Sequence, residues 1–214
     1  LTAALVPLLL ACLFLLNDAA SRAREVEDAQ LRSAGVGTAQ GLAARLAAAD
    51  SLARVIVSVN DQPSLASLRA AVAASAFFSF VVMDGPGVTD ASAEIDAAKT
   101  ALRLPRQIFI AKPVRLANGP ATAYFFISPD WLWSELGGAE AAIAVFDETG
   151  SLLHSSIPMS ADTASMLAAQ TREVSAAGAV AGRHVGWHAD DAEWAAVLTT
   201  VNTLDFGNHG SRWH

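Results

Sequence analysis

The stretch AVFDETGSLLHSS, residues 144–156, decides how the second half of the chain is read. An apolar run ends in Asp147, Glu148 and Thr149 lead to Gly150, and a second apolar run follows. Asp accepts hydrogen bonds from turn amides and Gly supplies the left-handed backbone, so D-x-x-G reverses a strand. The spacing predicts strands over 141–147 and 151–155. VVMDGPGV, residues 81–88, repeats the pattern with Asp84 and Gly87. Each copy lies beside helical segments and further antiparallel strand segments, which predicts an α+β fold with helices on one side of its sheets.

Working outward, the aromatic and β-branched run FFSFVVMD (77–84) reads as a strand entering a tight turn at Gly85-Pro86-Gly87. IFIAKPVRL (108–116) and ATAYFFIS (121–128) flank Ala117-Asn118-Gly119-Pro120, a hairpin signal. Pro113 withholds an amide and predicts a free edge or a bulge. Ser128-Pro129-Asp130 opens a short helix, PDWLWSEL, that stops at Gly137-Gly138. Residues 90–103 are polar and Ala-rich, a short helix or loop. Ser160 or Asp162 starts a helix over 161–173. The terminal GRHVGWHADDAEWAAVLTTVNTLDF reads as two strands around a turn at 189–192, with Trp187 and Trp194 as cross-strand neighbours. A further strand begins at Ser211.

Toward the start, residues 17–60 read as helix. Leu42, Leu46, Ala49, Leu52, Ile56 and Val59 recur at spacings of 3 and 4 and define one apolar face. The segment is expected to form one long rod, weakened by Gly35, Gly37 and Gly41. DQPS, residues 61–64, restarts a helix with Pro63 in its first turn and Asp61 as its cap. Leu65, Leu68 and Val72 line that helix.

Residues 1–16, LTAALVPLLLACLFLL, carry no charge. They are expected to be a membrane helix truncated at its start, since a span needs about 20 apolar residues. The alternative is a signal peptide cleaved after Ala23. Either way, residues 17–214 are sent out of the cytoplasm, and the membrane reading places the protein in the inner membrane. The only cysteine, Cys12, lies in this segment, so no intrachain disulfide or cysteine-based zinc site can form. Charged residues make up 16% of the chain, mean hydropathy is +0.36, and net charge is -7 with a pI near 5.1. With no run of Lys or Arg, the electrostatic footprint of a nucleic-acid binder is missing.

The order of apolar helix, long helix, D-x-x-G strand, paired strands and a second D-x-x-G strand pair resembles the Cache-type sensor domains of bacterial membrane receptors. In AVFDETGSLLHSS the strand, Asp147, Gly150 and the returning SLLHSS match that family's strand, turn and strand, and FFISPDWLWSEL matches its strand leading into a connecting helix. The resemblance implies one or two PAS-like antiparallel sheets with flanking helices on a long N-terminal helix, and a homodimer. It divides the chain into a membrane helix (1–16), a helical stalk with packing helices (17–75), a membrane-distal PAS-like unit (76–138) and a membrane-proximal one (139–214) ahead of a second membrane helix. The Arg-rich aromatic pattern of the family's amino-acid-binding members is missing, which leaves the ligand class open.

No G-x-S-x-G, P-loop, H-E-x-x-H or G-x-G-x-x-G motif occurs, and no catalytic residue, cofactor or metal site is assigned. His184 and His188, with Asp190 and Asp191, form the nearest approach to a metal constellation. On a strand the two His residues lie about 13 Å apart, too far for one ion. For a small-molecule ligand the candidates are Arg103 and Arg106, which can grip a carboxylate, and Lys112 and Tyr124 on the paired strands. The resemblance puts a pocket on this sheet and the segment leading into it; the competing reading leaves all four as surface residues. Trp131 and Trp133, two apart on a short helix, cannot share one face, so one caps a pocket or touches a membrane surface unless both pack between helix and sheet.

The expected function is ligand sensing for a transmembrane receptor whose output, a diguanylate cyclase or phosphodiesterase or a histidine kinase, lies in the cytoplasm. The alternative is a membrane-anchored or exported binding or structural module without output. An extracytoplasmic enzyme ranks third.

Overall fold

In the computed structural model, the described residues are 2–59, 63–85, 107–116, 118–134, 136, 142–176, 183–189, 192–202 and 212–214; residues 2–13, 175–176, 183–184, 187–189, 192–194, 202 and 212 are described as backbone alone. The fold is α+β: a long N-terminal helix followed by small antiparallel sheets with helices.

Helix α1 runs unbroken from Thr2 to Ser58, 57 residues, or about 85 Å at 1.5 Å per residue. The three glycines expected to weaken its middle sit inside it without breaking it. Its buried stripe is Leu42, Leu46, Ala49, Ala53 and Ile56. Ala53 takes the place expected of Val59, which is exposed just past the helix end. Among the described residues no helix is long and apolar enough to cross a membrane.

Helix α2 (Leu65–Ala73) is capped by Ser64, whose hydroxyl accepts from the Ser67 amide while the Ser67 hydroxyl accepts from the Ser64 amide. This reciprocal box replaces the expected Asp61 cap, and Pro63 precedes the helix instead of opening it. Leu68 and Val72 face the core, with Leu65 partly buried against it.

Strands β1 (Phe78–Asp84), β2 (Phe109–Leu116) and β3 (Gly119–Ile127) form an antiparallel sheet in the order β1-β3-β2. β2 is therefore an edge strand, and Pro113 sits in it opposite Thr122 without leaving a broken ladder. Period-two alternation sends Val81, Met83, Ile110, Val114, Ala123 and Phe125 to the main core with α1 and α2. The other face carries a smaller cluster of Val82, Phe109 and Phe126 with Tyr124 against it.

Ser128 caps α3 (Pro129–Trp133), shorter than the eight residues expected. Hairpin β4 (Ala144–Phe146) and β5 (Leu152–Ser155) follows, then α4 (Ala161–Ala176), opened by Ser160 whose hydroxyl accepts from the Thr163 amide. β6 (Arg183–Ala189) pairs with β7 (Ala192–Leu198), placing Trp187 opposite Trp194 in register. β8 (Val201–Asn202) pairs with β9 (Arg212–Trp213). Phe146 and His214 exchange both backbone hydrogen bonds, at 2.8 and 2.9 Å, and Asp147 bridges to Trp213, so β4 lies between β5 and the chain's last strand. The turn of the first D-x-x-G copy, Gly87 included, and segment 90–103 lie outside the described residues.

Candidate functional site

The second D-x-x-G copy is a structural turn. Asp147 is buried, and its Oδ1 accepts from the Thr149 amide at 2.9 Å, the Thr149 hydroxyl at 2.6 Å and the Ser151 amide at 2.8 Å. Gly150 holds φ at 83°, and a Cβ there would meet the Ala168 carbonyl oxygen at 2.9 Å. The hairpin tip therefore rests directly on α4, and Oδ1 of its carboxylate is held by three donors of the turn itself.

Of the four residues proposed for ligand binding, two are described, and these two lie on opposite faces of the sheet. Arg103 and Arg106 lie outside the described residues. Lys112 projects from the core face of the sheet and is engaged: its Nζ contacts Asp50 Oδ1 of α1 at 2.5 Å. Asp50, only 6% exposed, also takes Arg54 through Oδ2 at 2.7 and 2.8 Å. A carboxylate this deeply buried needs paired cations and hydrogen bonds to offset lost hydration. Tyr124 projects from the opposite face, with its ring edge-on to Phe109 at 5.8 Å. Lys112 and Tyr124 are thus separated by the sheet itself, which corrects the expectation of one pocket holding both.

A second grip lies five residues, about 1.4 turns, before Asp50 on α1. The Arg45 guanidinium donates through Nη1 to the carbonyls of Trp131 (2.6 Å) and Leu132 (3.1 Å) and to Ser134 Oγ (3.0 Å), satisfying the C-terminal carbonyls of α3. Trp131 and Trp133 diverge as their spacing requires. Trp131 packs on Phe77 with centroids 4.4 Å apart, and Trp133 stacks on His154 of β5 at 4.6 Å and 7°. Burial holds the His154 imidazole below its ordinary pKa of 6.5.

A cavity able to hold a ligand lies elsewhere. A half-open cavity of about 390 Å³ lies between the middle of α1, strand β4, the start of α4 and the corner joining β7 to β8. Leu31, Gly35, Thr38 and Leu42 line it from α1, Val145 and Phe146 from β4, Leu167 from α4, and Leu198, Thr199 and Val201 from the corner. His214, 7% exposed, closes one side, its Nδ1 3.2 Å from the Thr200 hydroxyl. Gly35 makes the close approach possible, since a Cβ there would stand 2.7 Å from Thr199 Oγ1. The sequence reading treated Gly35 as a weak point and missed this site. Its signal was the run of small residues Ala34, Gly35, Thr38 and Ala39 on one side of a long helix. Among the described residues no three His, Cys, Asp or Glu side chains gather as a metal site. His184 and His188 lie on β6, as expected for a strand.

Comparison with known proteins adds no identity. No family model, curated protein or solved structure matches this chain.

Proposed function

We propose that this chain is the extracytoplasmic ligand-sensing region of a bacterial transmembrane receptor, anchored through the apolar start of α1 and working as a homodimer. The observation that carries the reading is the single helix α1, which is held by two different β assemblies along its length. Residues 31–42 border the cavity at β4 and the β7–β8 corner, and Asp50 ties the following turns to the three-stranded sheet. A ligand that rearranges the first contact acts on a helix that runs without a break toward Phe14, Leu15 and Leu16, all exposed apolar residues. Ligand-biased packing of this kind shifts a two-state equilibrium in proportion to the difference in affinity for the two states.

Two measurements test the reading. Alkaline phosphatase fused after His214 should be active in whole cells, because that enzyme matures only outside the cytoplasm, and an inactive but expressed fusion would remove the extracytoplasmic assignment. The coding sequence past His214 should continue into a second apolar span and then a kinase, cyclase or phosphodiesterase signature; an immediate stop would remove the receptor.

A further inference from the structure

We propose that the cavity between α1, β4 and the β7–β8 corner binds a small, uncharged, mainly aliphatic molecule carrying one hydrogen-bonding head, such as a medium-chain alcohol or ester. The inference rests on the sensing reading for what binding accomplishes, and on the cavity alone for what is bound.

Size comes first. At about 390 Å³ the cavity falls in the range of roughly 300–1,000 Å³ typical of small-molecule sites. An apolar cavity of about 150 Å³ already stays dry and takes benzene. Composition then selects the ligand. Leu31, Leu42, Val145, Phe146, Leu198 and Val201 supply aliphatic and aromatic wall, and the described lining residues include no Asp, Glu, Lys or Arg. An amino acid or dicarboxylate entering here would shed its hydration without meeting a counter-ion, which the interior strongly penalises. The polar side chains among the lining residues are those of Thr38, Ser160, Thr163 and Thr199, which carry hydroxyls, and His214. Hydroxyls exchange hydrogen bonds with a neutral alcohol, ester or ketone as readily as with water. Ala34 on α1, Ile157 and Pro158 before α4, and Ala195 on β7 are among its exposed lining residues, so the cavity opens to solvent.

Photolabelling tests this on the full chain in lipid nanodiscs, using decanol carrying a mid-chain diazirine and peptide mapping by mass spectrometry. Adducts are expected on peptides covering 31–42, 142–146 and 195–201, and should be removed by excess decanol. At about pH 8, where a carboxylic acid is ionised, decanoate should compete at least tenfold less well. Ala39→Phe, which puts a ring into the cavity, should cut labelling at least tenfold with the helical circular dichroism retained. Labelling confined to residues 1–16, or decanoate competing as well as decanol, would overturn the inference, and both outcomes are read on the unmutated chain. Decanol binding while spin labels on α1 keep their separation would support this inference and remove the sensing reading.

Discussion

Gly35 and Gly37, two residues apart on one helix, carry opposite expectations. A Cβ on Gly37 meets nothing within 4 Å, so Gly37→Ala should stabilise the protein by about 0.8 kcal/mol through helix propensity alone. On Gly35 the same methyl group meets the Thr199 hydroxyl oxygen at 2.7 Å, so Gly35→Ala should lose that gain and destabilise. Thr199→Ala should restore it, and urea unfolding of the four proteins reads the coupling. His154 provides a pH signature. Because burial lowers its folded pKa, the unfolded chain takes up the proton first as pH falls. Its share of stability is full above about pH 6.5 and is lost as pH falls from there toward the folded pKa. His154→Phe, which keeps a ring against Trp133, should flatten the fall in melting temperature between about pH 7 and pH 5.5. Both effects depend on what stands opposite the residue in space, so the sequence reveals a helical glycine and a strand histidine without revealing either neighbour.

Among the elements, the joint between α1 and β2 is the most vulnerable. Asp50→Ala leaves the Lys112 ammonium, 17% exposed, without its carboxylate, and should cost about 3 kcal/mol in urea unfolding. Arg54, 66% exposed, rehydrates at little penalty. Replacing both partners, Asp50→Leu with Lys112→Met, should return stability to within about 1 kcal/mol of the parent, because two apolar side chains need no pairing. Strands, hairpins and the helical stripe were legible because their signals are local: alternation in FFSFVVMD, Asn-Gly between β2 and β3, Asp147 and Gly150 in the turn. The Asp50–Lys112 pair joins residues 62 apart, and local periodicity does not name such partners. Lys112 and Tyr124 both looked available from sequence, yet pleating sends them to opposite faces once the register is known. The cap of α2 moved from Asp61 to Ser64 because two nearby serines close a reciprocal box that no Asp is needed to complete.

At the scale of the molecule, the cavity escaped sequence reading because its walls come from segments more than a hundred residues apart along the chain, brought together only when the last strand pairs with β4. The homodimer proposed above makes one direct demand on the rod. Val55 is 53% exposed, well away from the buried stripe, so in a protein with Cys12→Ser, Val55→Cys should form an intermolecular disulfide under mild oxidation if paired rods run side by side. Absence of cross-linking there and at Val36→Cys would argue for a monomer. The grips at Gly35, Arg45 and Asp50 have a last consequence. At about 100° per residue they fall within an arc of roughly 140° around the helix. The rod thus lies as a shaft clamped from both flanks of one seam, so turning it about its own axis strains the Arg45 and Asp50 ties together, whichever way it rolls.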